Sequence, residues 1–159
     1  LSIRDKLTQV FNRLKLDEFL QSELERSERN KAPFAIILVD VDSLRSINDS
    51  YGNPVGDDLL ITMAALLKKN VRATDIIGRW SGEEFLIILP DTEEKGAMIL
   101  AEKIRTIVEN TDFKVVGKLT ASFGVSAYRK DLLPATLISR AHEARNRAKA
   151  KGRNRVECQ

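Results

Sequence analysis

Phe34-Ala35-Ile36-Ile37-Leu38-Val39 runs without a polar side chain and stops at Asp40-Val41-Asp42. A strand with one wet face alternates apolar and polar residues; this one does not. An unbroken run of this length is the pattern of a central strand covered on both faces. The chain must therefore build a sheet with helices on both sides, and Asp40 must stand at the end of its middle strand.

Helical spacing supplies the cover. Leu16, Phe19, Leu20 and Leu24 predict a helix over 16–30, closed by Pro33. Ile3 to Arg13 reads as the end of a helix followed by a turn. Asp42-Ser43 is a helix-start pair, with Asp42 as the candidate cap, for a short helix over 44–51 ending at Gly52. A second helix spans 54–71 with Leu59, Leu60, Met63, Leu66 and Leu67 on its core face. Ile76-Ile77 and Phe85 to Leu89 flank Trp80-Ser81-Gly82-Glu83-Glu84 and predict a β-hairpin. Pro90-Asp91-Thr92 closes it and caps a long helix striped by Ala97, Leu100, Ala101, Ile104, Ile107 and Val108. A second hairpin is expected between 113–116 and 119–127 across Gly117-Lys118, then a helix over 134–151 and an edge strand at Val156. Helices interleaved with strand pairs give an α/β (α+β) domain, one mixed, mainly antiparallel sheet surrounded by helices.

At 159 residues with 43% hydrophobic and 31% charged content, one domain over 1–159 with one substantial core is expected. No apolar run approaches the roughly 20 residues of a membrane span, and no signal-peptide pattern opens the sequence. Cys158 is the only cysteine and His142 the only histidine. A disulfide framework and a Cys/His metal site are excluded, and a reducing, cytoplasmic setting fits. Metal chemistry falls to carboxylates. From Arg140 to Arg155 there are seven Lys or Arg against one Glu, a segment able to receive an anion. It lacks interleaved aromatics, which argues against nucleic acid as its partner.

Two adjacent glutamates just past a tight turn are unusual at the start of a buried strand. With Asp40 they suit a hard cation such as magnesium, which takes a carboxylate or two and leaves the remaining positions to water and phosphate. Successive strand residues point to opposite faces, so Glu83 and Glu84 cannot both face Asp40 unless the turn rotates one of them. Asp40 with Glu83 is the expected metal pair, with Glu84 assisting or holding the hairpin; a solvated surface hairpin is the alternative. Asn48 and Asp57 read either as helix-end polar residues or as the amide and carboxylate that recognise a guanine edge. Lys149 and Arg153 either clamp phosphates or simply complement a helix C-terminus. Arg72 and Asp75 form either a surface ion pair of little value or an arginine fork for an anion.

Leu7-Thr8-Gln9-Val10-Phe11-Asn12-Arg13, Asp40-Val41-Asp42, Asn48-Asp49-x-x-Gly52, Gly56-Asp57, Arg79 to Phe85, Ser122-Phe123-Gly124-Val125 and Ala148-Lys149-x-x-Gly152-Arg153-Asn154 occur in this order. The ordered set, covering nearly the whole chain, resembles the GGDEF family, the diguanylate cyclase domain of bacterial second-messenger signalling. The resemblance implies a five-stranded sheet like the palm of nucleotidyl cyclases and polymerases. It implies condensation of two GTP into cyclic di-GMP and pyrophosphate between two domains of a homodimer. It implies magnesium (manganese as a substitute) on Asp40, Glu83 and the Val41 carbonyl, with Glu83 and Glu84 as candidates to remove the proton. Guanine would be read by Asn48 and Asp57, with Asn53 nearby, and phosphates held by Lys149, Arg153 and Arg45, the last replacing a usual lysine. Ser81 and Gly82 would lie along the nucleotide. Arg72, Asp75 and Lys103 resemble the family's inhibitory product site. A regulatory domain is expected before Leu1, and no direct membrane contact from this one.

The departures are Gln9 for a glycine, Asn53 for a histidine, Ser81 for the first signature glycine, and His142 and Asn146 for an aspartate and a tyrosine. If position 81 needs positive φ, a serine costs about 1–2 kcal/mol there; otherwise it is harmless. The rival reading is a domain that has lost turnover and senses cyclic di-GMP or GTP.

Overall fold

The computed structural model describes residues 2–130 and 132–159. In chain order the elements are α1 (Arg13–Asn30), β1 (Phe34–Val41), α2 (Leu44–Tyr51), α3 (Asn53–Lys69), β2 (Ile76–Arg79), β3 (Glu84–Pro90), α4 (Glu94–Asn110), β4 (Ala121–Ala127), α5 (Pro134–Ala150) and β5 (Val156–Cys158). They form a five-stranded sheet in the order β2-β3-β1-β4-β5, antiparallel except for the β4–β5 pair.

All eight residues of β1 are buried, as the apolar run requires. Alternation along the strand divides them between two cores. Ala35, Ile37, Val39 and Val41, with Phe85, Ile87 and Leu89 of β3, pack under α3 and α4 through Leu59, Met63, Leu67, Ala101 and Ile104. Phe34, Ile36 and Leu38, with Leu86 and Ile88, pack under α1 and α5 through Leu16, Leu20, Leu24, Leu137 and Ala141. Burying a Leu or Ile side chain contributes about 1.5–3 kcal/mol, so this two-sided burial dominates the fold's stability. No helix among the described residues is long and apolar enough to cross a membrane.

Four local expectations differ from what is found. Residues 3–12 form no helix end: Arg4 pairs with Phe11 in an isolated bridge, and Asp5 closes the loop by accepting from Thr8 N and Oγ1 at 2.9 and 2.7 Å. Phe11 then bridges to Gly78 on the open side of β2. Residues 113–116 do not pair with the next strand. Phe113 and Gly117 close a tight turn, and β4 instead lies along β1 over seven paired positions from Ala35↔Ala127 to Val41↔Ala121. A central strand buried on both faces needs hydrogen-bond partners at both edges, and a four-residue arm cannot match that ladder. Asp42 does not cap α2. Ser43 holds the cap position without a side-chain bond. Asp42, buried, accepts instead from Thr120 Oγ1 and Ser122 Oγ, both at 2.7 Å, and from Asn154 N at 3.2 Å. Nor do Asp91 and Thr92 cap α4, whose cap position is Glu93. Asp91 pairs with Arg26, and Thr92 Oγ1 donates to Pro90 O.

Candidate functional site

Asp40 and Glu84 are partners in the β1–β3 register, one at the end of the central strand and the other at the start of its neighbour. Both belong to the even-numbered set that faces α1 and α5. Glu83 precedes the strand and lies on the other side of the tip, lining a cleft of about 500 Å³ with Arg45, Asn48, Asn53, Asp57, Ser81 and Gly82. The turn does not bring both glutamates to one side, as strand geometry anticipates. The structure thus sets Glu84 directly across from Asp40. Glu83 stays close enough for repulsion between carboxylates to be felt at its own group.

The hairpin tip is fixed from several directions. Trp80 N donates to Glu84 O at 2.8 Å, and Ser81 Oγ donates to Glu84 Oε1. Arg79 Nη2 donates to Gly82 O at 2.7 Å. From α1, the Arg13 guanidinium stacks 3.4 Å from the Trp80 ring centroid and donates to Trp80 O. Neither Ser81 nor Gly82 has positive φ, and a Cβ at Gly82 would meet nothing. The serine is therefore harmless to the turn, and its hydroxyl orients Glu84.

Helix α5 delivers the cations. A Cβ at Gly124 of β4 would stand 2.0 Å from the Ala141 carbonyl oxygen, so only glycine lets α5 lie this close to the sheet. Arg145 and Lys149, one turn apart, then reach Asp40. Lys149 Nζ lies 2.8 Å and Arg145 Nη1 2.5 Å from Asp40 Oδ2, and the same Nη1 donates to Glu84 Oε2. Arg145 Nη2 stands 3.1 Å from His142 Nδ1. Arg145 was not legible as a site residue. Its one signal is its place four residues before Lys149 on the stripe that contains buried Ala141. Arg153 follows the helix in the left-handed region, φ 64°, and is exposed without a side-chain contact to the carboxylates.

Burial pushes the Asp40 carboxyl up; Lys149 and Arg145 pull it back only in part, and Glu84 adds to the rise. Glu83 is raised by burial first and then by Asp40. His142 is lowered by burial, with Arg145 and Arg13 adding to it against Glu84 and Asp40. Asp40 Oδ1 is buried and has no hydrogen-bond partner. Arg145 and Lys149 both sit on Oδ2, so the orphaned Oδ1 leaves Asp40 one oxygen open to a further cation. Among the described residues no three His, Cys, Asp or Glu side chains are grouped to hold a metal. Two protein carboxylates at most would serve, as magnesium commonly accepts.

On the cleft's far wall, Asn48 of α2 lies against Gly56 of α3, and its Oδ1 is buried without a partner. Asn53 opens α3, and Asp57 stands one turn on, exposed. The cleft is therefore lined by Glu83 with Arg45 and Arg79, and by the Asn48 amide and the Asp57 carboxylate. A separate cleft of about 670 Å³ holds Arg72, Asp75 and Lys103 together. Arg72 Nη2 donates to Asp75 Oδ1, Pro90 O and Thr92 Oγ1 at 2.8–2.9 Å. Glu84 and Pro90 are the two ends of β3, so the clefts stand about 20 Å apart.

The family described as diguanylate cyclase, GGDEF domain, matches residues 2–155. Response regulator PleD of Caulobacter vibrioides is 38% identical over 162 residues, covering 98% of this chain and 36% of PleD. Diguanylate cyclase DosC of Escherichia coli is 34% identical over 157 residues, covering 96% and 34%. The chain thus spans about a third of the length of these curated relatives. Among solved structures, diguanylate cyclase SiaD in complex with its activator SiaC, from Pseudomonas aeruginosa, superposes with a TM-score of 0.95 at 35% identity. It covers 99% of this chain and 62% of SiaD. With the motifs, the sheet order and these matches in agreement, the chain belongs to the diguanylate cyclase GGDEF-domain family.

Proposed function

We propose that this domain condenses two GTP molecules into cyclic di-GMP, releasing pyrophosphate, with one GTP held by each domain of a homodimer. The observation that carries the reading is Asp40 beside Glu84 and Lys149, with Glu83 near enough to feel the Asp40 charge while it lines the cleft holding Asn48 and Asp57. Asn48 and Asp57 would take the guanine edge. Asn48 Oδ1 is buried over Gly56 with no partner, and a turn of the amide toward the cleft would offer it to a base N–H. Lys149, with Arg45 and Arg153, would draw the phosphates toward the carboxylates. Asp40, Glu83 and the Val41 carbonyl would hold magnesium, or manganese in its place. When bound, the metal would supply charge neutralisation for the triphosphate and a lowered pKa for the attacking 3′-hydroxyl. Glu83 and Glu84 would be the candidates to receive the hydroxyl proton, and Glu84, bonded to Ser81, keeps the tip rigid. Arg72, Asp75 and Lys103 would bind the product and restrain turnover from the second cleft.

A second reading, a domain that binds the nucleotide without turning it over, is favoured by Arg145 standing between Asp40 and Glu84. Incubating the purified domain with GTP and magnesium, and separating nucleotides by chromatography, distinguishes the two. Cyclic di-GMP from the wild type and none from Glu83→Ala supports the cyclase. Tight cyclic di-GMP binding without product at high protein concentration supports the sensor.

A further inference from the structure

The carboxylate pair already has a cation. A single guanidinium nitrogen of Arg145 donates to both Asp40 Oδ2 and Glu84 Oε2, residues 105 and 61 positions away in the chain. The three side chains are largely withdrawn from water, at 12%, 1% and 11% exposure. Its position is built: the glycine at 124 lets α5 approach, and Asn146 Oδ1 accepts from Arg145 Nε at 3.0 Å. A divalent cation seated on Asp40 would face this fixed positive charge at close range, across a medium that screens it poorly.

We propose that Arg145, sharing Asp40 Oδ2 with Lys149, is the resident counter-cation that joins Asp40 to Glu84, and that its charge opposes a divalent metal at Asp40 until the guanidinium moves away. The inference rests on the reading of Asp40 as a metal ligand. Arg145 is a positioning residue: it holds two like charges side by side when no metal is present, and it weakens metal binding in the absence of nucleotide. A nucleotide triphosphate, arriving near Lys149 one turn along the same helix, offers Arg145 alternative anionic partners. Metal and nucleotide then strengthen each other's binding, because each favours the arrangement in which Arg145 has left the carboxylates.

The test is direct. Binding of Mn²⁺ to the nucleotide-free domain is followed by the electron paramagnetic resonance signal of the free ion, for wild type, Arg145→Leu, Arg145→Gln and Asp40→Asn. The glutamine variant keeps an amide donor while deleting the charge, and it decides the matter should the leucine variant fail to fold by circular dichroism. Removing the charge is expected to tighten Mn²⁺ binding at least tenfold, and Asp40→Asn to abolish it. If both charge-deleting variants bind Mn²⁺ no better than wild type while Asp40→Asn binds none, the counter-cation role is overturned and the metal site stands. If Asp40→Asn binds as well as every other form, the metal site is wrong and the inference falls with it.

Discussion

Gly56 lies beneath the Asn48 amide: a Cβ at residue 56 would stand 1.7 Å from Asn48 Oδ1. In a helix interior, exchanging glycine for alanine usually stabilises by about 1 kcal/mol. In α3 that gain would come with displacement of the Asn48 side chain. Gly56→Ala is therefore expected to fold and to lose at least tenfold in GTP affinity, the worth of a hydrogen bond or two to the base, while Mn²⁺ binding is unchanged. Calorimetric titration of a non-hydrolysable GTP analogue checks this. Unaltered affinity would remove Asn48 from guanine recognition.

Glu83 gives a pH signature. Its folded pKa is raised above the ordinary 4.5 by burial and by Asp40. Its contribution to stability is therefore fully present below about pH 4.5 and is lost as pH rises through the folded value. At pH 7 the metal-free domain carries the whole penalty, held to under about 1 kcal/mol because much of the side chain is solvated. Glu83→Gln should raise the Tm at pH 7 in chelator, and the difference should vanish near pH 4. Thermal melts across that range measure both.

Arg72 sits at the opposite end of β3, tied to Asp75, Pro90 O and Thr92. Its Asp75 partner is only 1% exposed, so removing the guanidinium leaves a buried carboxylate short of a donor and should cost about 1–3 kcal/mol of stability. Under the product-inhibition reading, Arg72→Ala keeps making cyclic di-GMP after the wild type has stalled. Progress curves at high GTP show this, and superimposable curves would eliminate the inhibitory cleft.

Gln9 occupies the left-handed region at φ 65°, where a glycine would sit without strain. A side chain costs about 1–2 kcal/mol there, partly offset by the unfolded-chain entropy that glycine adds. Gln9→Gly is expected to stabilise by about 0.5–1 kcal/mol, a Tm gain of a few degrees. Loss of the exposed bond from its Nε2 to Lys6 O should cost little. Equilibrium denaturation is the measurement.

Much of the site could be read from spacing. Asp40 at the end of an apolar run and Glu83-Glu84 after a turn follow from period-2 geometry, and α2 ends where Gly52 indicates. The unequal placement of the glutamates is half visible: alternation separates them, but only the β1–β3 register decides that Glu84 faces Asp40. Asp42 departs from the cap that a carboxylate before a helix makes by default. Its actual partners are Thr120, Ser122 and Asn154, at separations of 78, 80 and 112 residues.

Neighbours along the chain impose which strand is buried on both faces, which helix faces are apolar, and where acids cluster. The choice of partner came from packing: β4 on β1 instead of its nearer arm, and Arg145 between Asp40 and Glu84. Periodicity is a property of consecutive residues. Ladder pairing and charge neutralisation depend on which distant groups the packed helices and sheet bring within a few ångströms, and no local pattern encodes that distance.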